Sequence, residues 1–408
     1  MVPVPVVRYE MGKEGEVGGV HLRLSPFDAR QIDIRIFDRD GNDLPTKKEK
    51  AIEQLFMRED FKRAAVADVG ELSVPPRAQE YYRTGFLKNI NAAVLKHRKF
   101  KVVIDYSHSA ASMIFPDLLG EMGIESVALN AHTSTTRFPR TEAEFKRALE
   151  ELSNIVTTLK ADAGFLMDNG AEKLFMVDEK GRVIPSEEAL AVVGLLNLQT
   201  SEQKVIGYPV RASTLLEELA VMRGATVLRT PMNPRYILEY ARKPNVNFLG
   251  DAEGGFIFPA FQPAFDAMFA VARILELMAG QNTTLAKVWD SLPRKIHIMH
   301  RRVPCAWGQK GQVMRLAQVI NEKQKLELID GVKIHFVDGW ALVLPDGNEA
   351  YCHVWAEAKT ERAVRKIADE YAAKVEKWQM PGYAELPRRR KMKPPKISSD
   401  KITENKNA

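Results

Sequence analysis

Gly164-Phe165-Leu166-Met167-Asp168-Asn169-Gly170-Ala171-Glu172-Lys173-Leu174-Phe175-Met176-Val177 consists of two short apolar runs with a polar, glycine-containing loop between them. Each run is too short for a helix and ends on turn residues, so each reads as a buried strand. The loop opens on a carboxylate, Asp168, directly after the first run. In an open α/β sheet that place is the carboxyl edge, where ligands gather. Asp168 and Glu172, one on each side of Gly170, are oxygen donors of the kind that hold a hard cation such as Mg2+. A carboxylate turn solvated at a sheet edge is the competing reading.

Working outward, the same alternation of apolar runs and amphipathic segments extends in both directions. Residues 101–105 and 126–129 read as strands, 111–122 and 142–159 as helices, and 186 onward as a helix opened by Ser186-Glu187-Glu188. A second unit repeats the rhythm, with strands at 205–206, 225–228 and 247–249 and helices at 213–222, 265–279 and 285–292. After its last strand comes Gly250-Asp251-Ala252-Glu253-Gly254-Gly255-Phe256, again a small-residue loop with two carboxylates. This is the pattern of a parallel sheet with crossover helices. From residue 295 the texture changes to a strand, a helix at 309–321, three strands between 330 and 358 and a helix at 363–378, an α+β unit. Residues 1–63 offer a helix–strand–helix fragment around 18–38, too few strands for an independent sheet. The resulting division is 1–76, 77–198, 199–294, 295–378 and a tail at 379–408.

A chain of 408 residues exceeds one ordinary core at about 150 residues per domain. Its 45% hydrophobic and 27% charged content is that of a globular protein, and no run of about 18 apolar residues is present to span a bilayer. The start, Met1-Val2-Pro3-Val4-Pro5, lacks the charged and apolar regions of a signal peptide, which predicts a cytoplasmic location. In that compartment Cys305 and Cys352 are expected to be free buried thiols. The net charge of +6 is matched by the eight basic and two acidic residues after position 386, a stretch whose composition predicts a disordered tail. The body is near neutral and gives no case for nucleic acid. None of the eight histidines has metal-ligand spacing, and neither G-x-G-x-x-G nor a Walker A loop occurs.

Four loops taken in order resemble those of the α-D-phosphohexomutases, the phosphoglucomutase and phosphomannomutase group, over nearly all of residues 15–378. The resemblance implies consecutive α/β/α domains and a C-terminal α+β domain around one cleft, the first domain being cut short on its N-terminal side. It is nearest to the mutase-like half of bacterial proteins that carry a mannose-1-phosphate guanylyltransferase domain. The family's T-A-S-H-N-P loop falls on Arg23-Leu24-Ser25-Pro26-Phe27-Asp28, which puts Ser25 on the phosphate-carrying serine but Pro26 and Phe27 on its His and Asn. The metal loop D-G-D-x-D-R falls on residues 168–173, keeping Asp168, losing the middle ligand to Gly170 and lengthening the last to Glu172. The sugar loop G-E-x-S-G-H becomes residues 250–255, with Asp251 and Glu253, beside Arg235, as the residues left to contact substrate. The phosphate clamp R-P-S-G-T-E-P becomes Leu344-Pro345-Asp346-Gly347-Asn348-Glu349-Ala350, where Leu344 has no charge and Asp346 opposes a phosphate.

Two expectations follow. One is a catalytically impaired, mutase-like module with a structural or regulatory role in sugar-phosphate or GDP-mannose-type metabolism, partnered by a nucleotidyltransferase, binding hexose phosphate and compatible with a homo-oligomer. The other is an active mutase using Ser25 and Mg2+. Four altered loops favour the first.

Overall fold

The computed structural model describes residues 2–12, 17–24, 32–71, 77–133, 141–200 and 205–383. Ser25 and the tail beyond residue 383 lie outside the described residues. Near the N-terminus, β1 (Gly18–Leu24) and β2 (Ile32–Asp38) pair antiparallel, so the single strand expected there is in fact two. Side chains alternate across such a pair. His21 opposite Arg35 and Arg23 opposite Asp33 make one face charged, whereas Val20 and Leu22, opposite Ile36 and Ile34, make the other face apolar.

The next sheet contains β3 (Lys101–Asp105), β4 (Glu125–Leu129), β5 (Ala163–Met167), β6 (Leu174–Asp178) and β7 (Val183–Ile184) in the order β4-β3-β5-β6-β7. Strands β4, β3 and β5 are parallel, but β6 runs antiparallel to β5 and β7 to β6. The parallel sheet with crossover helices expected here is the trio β4-β3-β5, and β6 and β7 extend it antiparallel. Residues 168–173 are too few for a crossover, which takes about a dozen or more residues, so the chain can only reverse. The third unit has the same plan, with β8 (Val205–Pro209), β9 (Thr226–Thr230), β10 (Val246–Gly250) and β11 (Phe256–Ile257) in the order β11-β10-β8-β9. Its parallel trio also ends in an antiparallel strand after an acidic loop.

Packing explains several local choices. Helix Glu142–Leu159 lies so close on β5 that a Cβ at Gly164 would meet Val156 Cγ2 at 2.6 Å. The helix expected over 111–122 is a 3-10 turn, Ala110–Met113, followed by Phe115–Glu121, because Pro116 has no N–H to continue the ladder. Helices Ser186–Thr200 and Ala267–Gly280 are apolar on most sides and sit in one core shared by the two α/β units, which includes Phe165, Leu190, Phe248 and Met268.

The C-terminal unit is an antiparallel sheet, β12 (His297–Pro304), β13 (Lys325–Glu327), β14 (Val332–Phe336), β15 (Gly339–Pro345) and β16 (Tyr351–Ala358), ordered β12-β16-β15-β14-β13. Helices Trp307–Ile320 and Glu361–Trp378 cover one face over its own core of Val313, Leu316, Val343, Val354 and Trp378. Cys305 and Cys352 are buried free thiols, and burial together with Cys305 pushes the Cys352 thiol up to about 12. Trp340 and Leu342, from the other face, pack on Val210 of the preceding unit.

Candidate functional site

The loop between β5 and β6 is built by its first residue. Asp168 Oδ1 accepts the backbone N–H of Glu172 at 2.7 Å and of Lys173 at 2.8 Å, and the Asp168 N–H donates to Lys173 O at 3.1 Å. Ala171, fully buried, takes a left-handed φ of 56° to complete the turn. Such a conformation costs an L-residue about 1–2 kcal/mol and persists only where surroundings impose it. Here the Ala267 N–H donates to Ala171 O at 2.9 Å and the Val4 N–H to Gly170 O at 3.3 Å. Burial, then the Glu172 charge, pushes the Asp168 carboxyl above its ordinary range.

Three arginines from the N-terminal segment converge on this loop. Arg35, on β2, is hydrogen-bonded to Glu172 Oε2. Arg23 Nη1, from β1, is 3.8 Å from the same oxygen, and Arg8 Nη2 is 3.7 Å from Glu172 Oε1. Asp43 shares the load, taking Arg8 at 3.0 Å and Arg35 at 3.4 Å. His21 is held below its usual imidazole range by burial and by the charges of Arg35 and Arg23. His21, Arg23, Arg35, Asp43 and Glu172 line a cavity of about 1360 Å³ reached also by Arg235 and Glu253.

This donor set does not fit Mg2+. The ion needs near-octahedral oxygens at about 2.0–2.1 Å. Asp168 Oδ1 is spent on two backbone N–H groups, Glu172 is bound by guanidiniums, and the middle position is a glycine. Among the described residues no group of three or more His, Cys, Asp or Glu is arranged to hold a metal. In this structure Asp168 caps the backbone of its own loop and Glu172 is the acceptor of the arginines.

The second acidic loop is tied to the first. Lys173 pairs with Asp251 Oδ2 and its ammonium lies 4.9 Å from the Phe265 ring centroid, while the Leu174 N–H donates to Gly254 O at 2.8 Å. Gly254 has φ of 91°, and a Cβ there would strike Leu174 O at 2.7 Å, so glycine is required. Asp251 Oδ1 accepts the N–H of Glu253 at 2.9 Å and of Gly255 at 2.7 Å, leaving that carboxylate fully engaged. Glu253 is the more open group, its side chain 64% exposed and 3.3 Å from Arg211 Nη2. Arg235 lines the cavity with Nη2 2.9 Å from Glu49.

In the C-terminal loop Asp346 accepts the N–H groups of Asn348 and Glu349 at 2.7 and 2.8 Å and meets His353 Nε2 at 2.8 Å. Lys310 donates to the carbonyls of Asp346 and Glu349. Arg302 is paired with Glu349 and lies over Tyr351 at 3.9 Å. The cations nearest this loop are thus engaged by the loop itself. Sequence reasoning found both acidic loops but missed Arg8, Arg35 and Arg211, and took Arg23 only as a flank of Ser25. The alternation of His21 and Arg23 with Asp33 and Arg35 would have placed Arg23 and Arg35 on one face of the strand pair.

Comparison with known proteins agrees with this architecture. Residues 80–181 match the α/β/α domain II of phosphoglucomutase/phosphomannomutase and residues 186–296 its α/β/α domain III. The chain is 29% identical over 371 residues to the phosphoglucomutase/phosphomannomutase of Thermococcus kodakarensis, covering 90% of this chain and 81% of that protein. It is 28% identical over 374 residues to a phosphoglucosamine mutase of Methanococcus vannielii, covering 90% and 82%. Among solved structures it shares its fold with a phosphoglucomutase/phosphomannomutase family protein of Burkholderia thailandensis, with a TM-score of 0.78 at 18% identity over 94% of this chain and 82% of that one. A phosphomannomutase-like structure from Thermus thermophilus superposes with a TM-score of 0.70 at 18% identity over 92% and 82%.

Proposed function

The chain belongs to the phosphohexomutase family, and from that premise we propose that it is a mutase-like module that binds a hexose phosphate while its phosphoryl-transfer chemistry is impaired. The observation that carries this reading is the occupation of Glu172 by Arg35, Arg23 and Arg8, with Asp168 committed to backbone N–H groups. With Glu172 neutralised by guanidiniums and Asp168 Oδ1 committed to the loop backbone, the pair is a poor host for the divalent cation on which phosphoryl transfer relies. Asp346, capping its own turn where the family's clamp takes a phosphate, supports the same reading. The module's role is then structural or regulatory, in sugar-phosphate or nucleotide-sugar metabolism, beside a nucleotidyltransferase.

The second reading is an active phosphoglucomutase, phosphomannomutase or phosphoglucosamine mutase working through Ser25. It is favoured by the names of relatives that align with 90% of the chain. A coupled assay with glucose 1-phosphate, mannose 1-phosphate and glucosamine 1-phosphate, each with Mg2+ and its hexose bisphosphate, separates the two. We expect no turnover above that of the buffer. Turnover abolished by Ser25→Ala would overturn the impaired reading.

A further inference from the structure

The acidic loop already contains a cation. A Cβ placed on Gly170 would lie 2.9 Å from Arg23 Nη1, 3.2 Å from Asp168 Oδ2 and 3.3 Å from Glu172 Oε2. The Arg23 guanidinium therefore sits where the stem of a third carboxylate would have to pass, beside the other two. Arg35 approaches Glu172 from the neighbouring strand, and Arg8 closes the loop from behind. A guanidinium stays protonated at any working pH, so the loop is neutralised without help from solution. A divalent ion would have to strip Glu172 from Arg35 and then remain in contact range of two fixed positive charges.

The three arginines are not equivalent. The Arg8 side chain is 2% exposed and sealed behind Asp43, whereas those of Arg23 and Arg35 are 20% and 22% exposed and line the cavity. The two that face the open space lie on one face of a two-stranded sheet, Arg23 opposite Asp33 and Arg35 opposite His21, which fixes their spacing. A planar guanidinium matches two oxygens of a phosphate monoester, and a pair of them matches its dianionic charge.

We infer that Arg23 and Arg35 replace the divalent cation in function as well as in place, holding the phosphoryl group of a hexose phosphate directly, so that binding requires no metal. This deepens the sugar-phosphate reading of the cleft and rests on it. Glu172 and Asp33 act as the acceptors that keep the two forks in position, and Gly170 keeps the space for Arg23 open.

The test is calorimetric titration of glucose 1-phosphate into the full chain, once in excess EDTA and once in excess Mg2+, with Mn2+ binding followed separately by its electron paramagnetic resonance signal. The expected result is the same affinity in both buffers and no Mn2+ binding. Arg35→Lys, which keeps the charge and loses the fork, is expected to weaken glucose 1-phosphate roughly 10- to 100-fold, the loss of one or two charge-assisted hydrogen bonds. Because Arg35→Lys could act through the fold, Arg23→Gln is run beside it, and circular dichroism confirms that both variants are folded. A double variant, Arg23→Ala with Gly170→Asp, restores a third carboxylate and is expected to gain Mn2+ binding. Affinity that rises with Mg2+, or Mn2+ binding by the unaltered chain, would overturn the inference. So would absence of heat in both buffers, which would also remove the hexose-phosphate binding of the proposed function and leave only its impaired chemistry. Turnover in the coupled assay with EDTA-insensitive binding would instead remove that reading and keep this one.

Discussion

Lys333, on β14, buries its ammonium completely and donates to Val210 O at 2.6 Å, with the Trp340 ring centroid 4.2 Å away. Burial, then the charge of Arg229, pulls its pKa down to about 7. In the unfolded chain the same amine titrates near 10.4. Between those values the unfolded state binds a proton that the folded state has shed, so stability is full above the unfolded value and is lost as pH falls toward 7. The urea midpoint is expected to be higher at pH 9 than at pH 7, and Lys333→Met to remove that difference. Equal slopes in the two proteins would refute the assignment. Gly164 makes a second residue-scale prediction: with 2.6 Å between its missing Cβ and Val156 Cγ2, Gly164→Ala overpacks the helix–strand contact and costs about 1–3 kcal/mol in denaturant unfolding. At this scale the sequence shows what is local. Asp168 and Asp251 announce themselves as carboxylates directly after apolar runs, and both cap their own loops. The guanidiniums that meet Glu172 come from residues 8, 23 and 35, more than a hundred positions away, and only the folded chain brings them there.

Asp266 decides how helix Ala267–Gly280 begins. Its Oδ1 accepts the N–H of Phe269 at 2.9 Å, and its Oδ2 accepts Tyr82 Oη and Gln262 Nε2, each at 2.7 Å. One carboxylate therefore caps the central helix and anchors helix Ala78–Lys88 to it. Burial pushes it up to about 6 despite these donors. Asp266→Ala removes the cap and orphans a buried hydroxyl and amide, a loss of about 2–4 kcal/mol from the cap and one or two unsatisfied groups. Asp266→Asn retains an acceptor for the cap and is expected to lose less. With its folded value above the unfolded one, Asp266 favours the folded state most below about pH 4, and that share is lost as pH rises through 6. Asp266→Asn should flatten urea midpoints measured between those limits. Where elements are periodic, the sequence predicted them well: helix Glu142–Leu159 has the expected bounds, supported by a capping box between Thr141 and Glu144. Strand direction was less legible, because an apolar run looks the same whichever way its neighbour runs. The short loops at 168–173 and 251–255 contained the answer, since neither is long enough for a crossover. Helix Pro234–Ala241 was missed, being short and having proline in its first turn.

Across the molecule, Glu357 is the joint between the C-terminal unit and the α/β body. This buried carboxylate, on β16, takes the Ser213 hydroxyl, the Thr214 N–H at 2.9 Å, Arg294 Nη1 at 3.1 Å and the Trp340 indole N–H. Burial alone would raise its pKa, yet the donors hold it below the ordinary carboxylate range. The C-terminal unit has a core of its own on the opposite face of the sheet, so it does not depend on this joint for its hydrophobic burial. Among the described residues, Val210, Trp340 and Leu342, with a few partly buried neighbours, form a small apolar cluster at the seam. Breaking a buried, charged network by removing its acceptor costs about 3–5 kcal/mol, because the donors are left behind in the interior. Here that loss falls on the coupling between two bodies, each with its own core. In scanning calorimetry the unaltered chain is expected to melt its described units together, whereas Glu357→Ala splits off a separate, lower transition for residues 295–378. Glu357→Gln keeps an acceptor for Ser213 but not the charge facing Arg294, and its separation should be smaller. A Glu357→Ala trace that remains a single transition, merely shifted, would mean that the seam is held by its apolar contacts and that the carboxylate does not join the units.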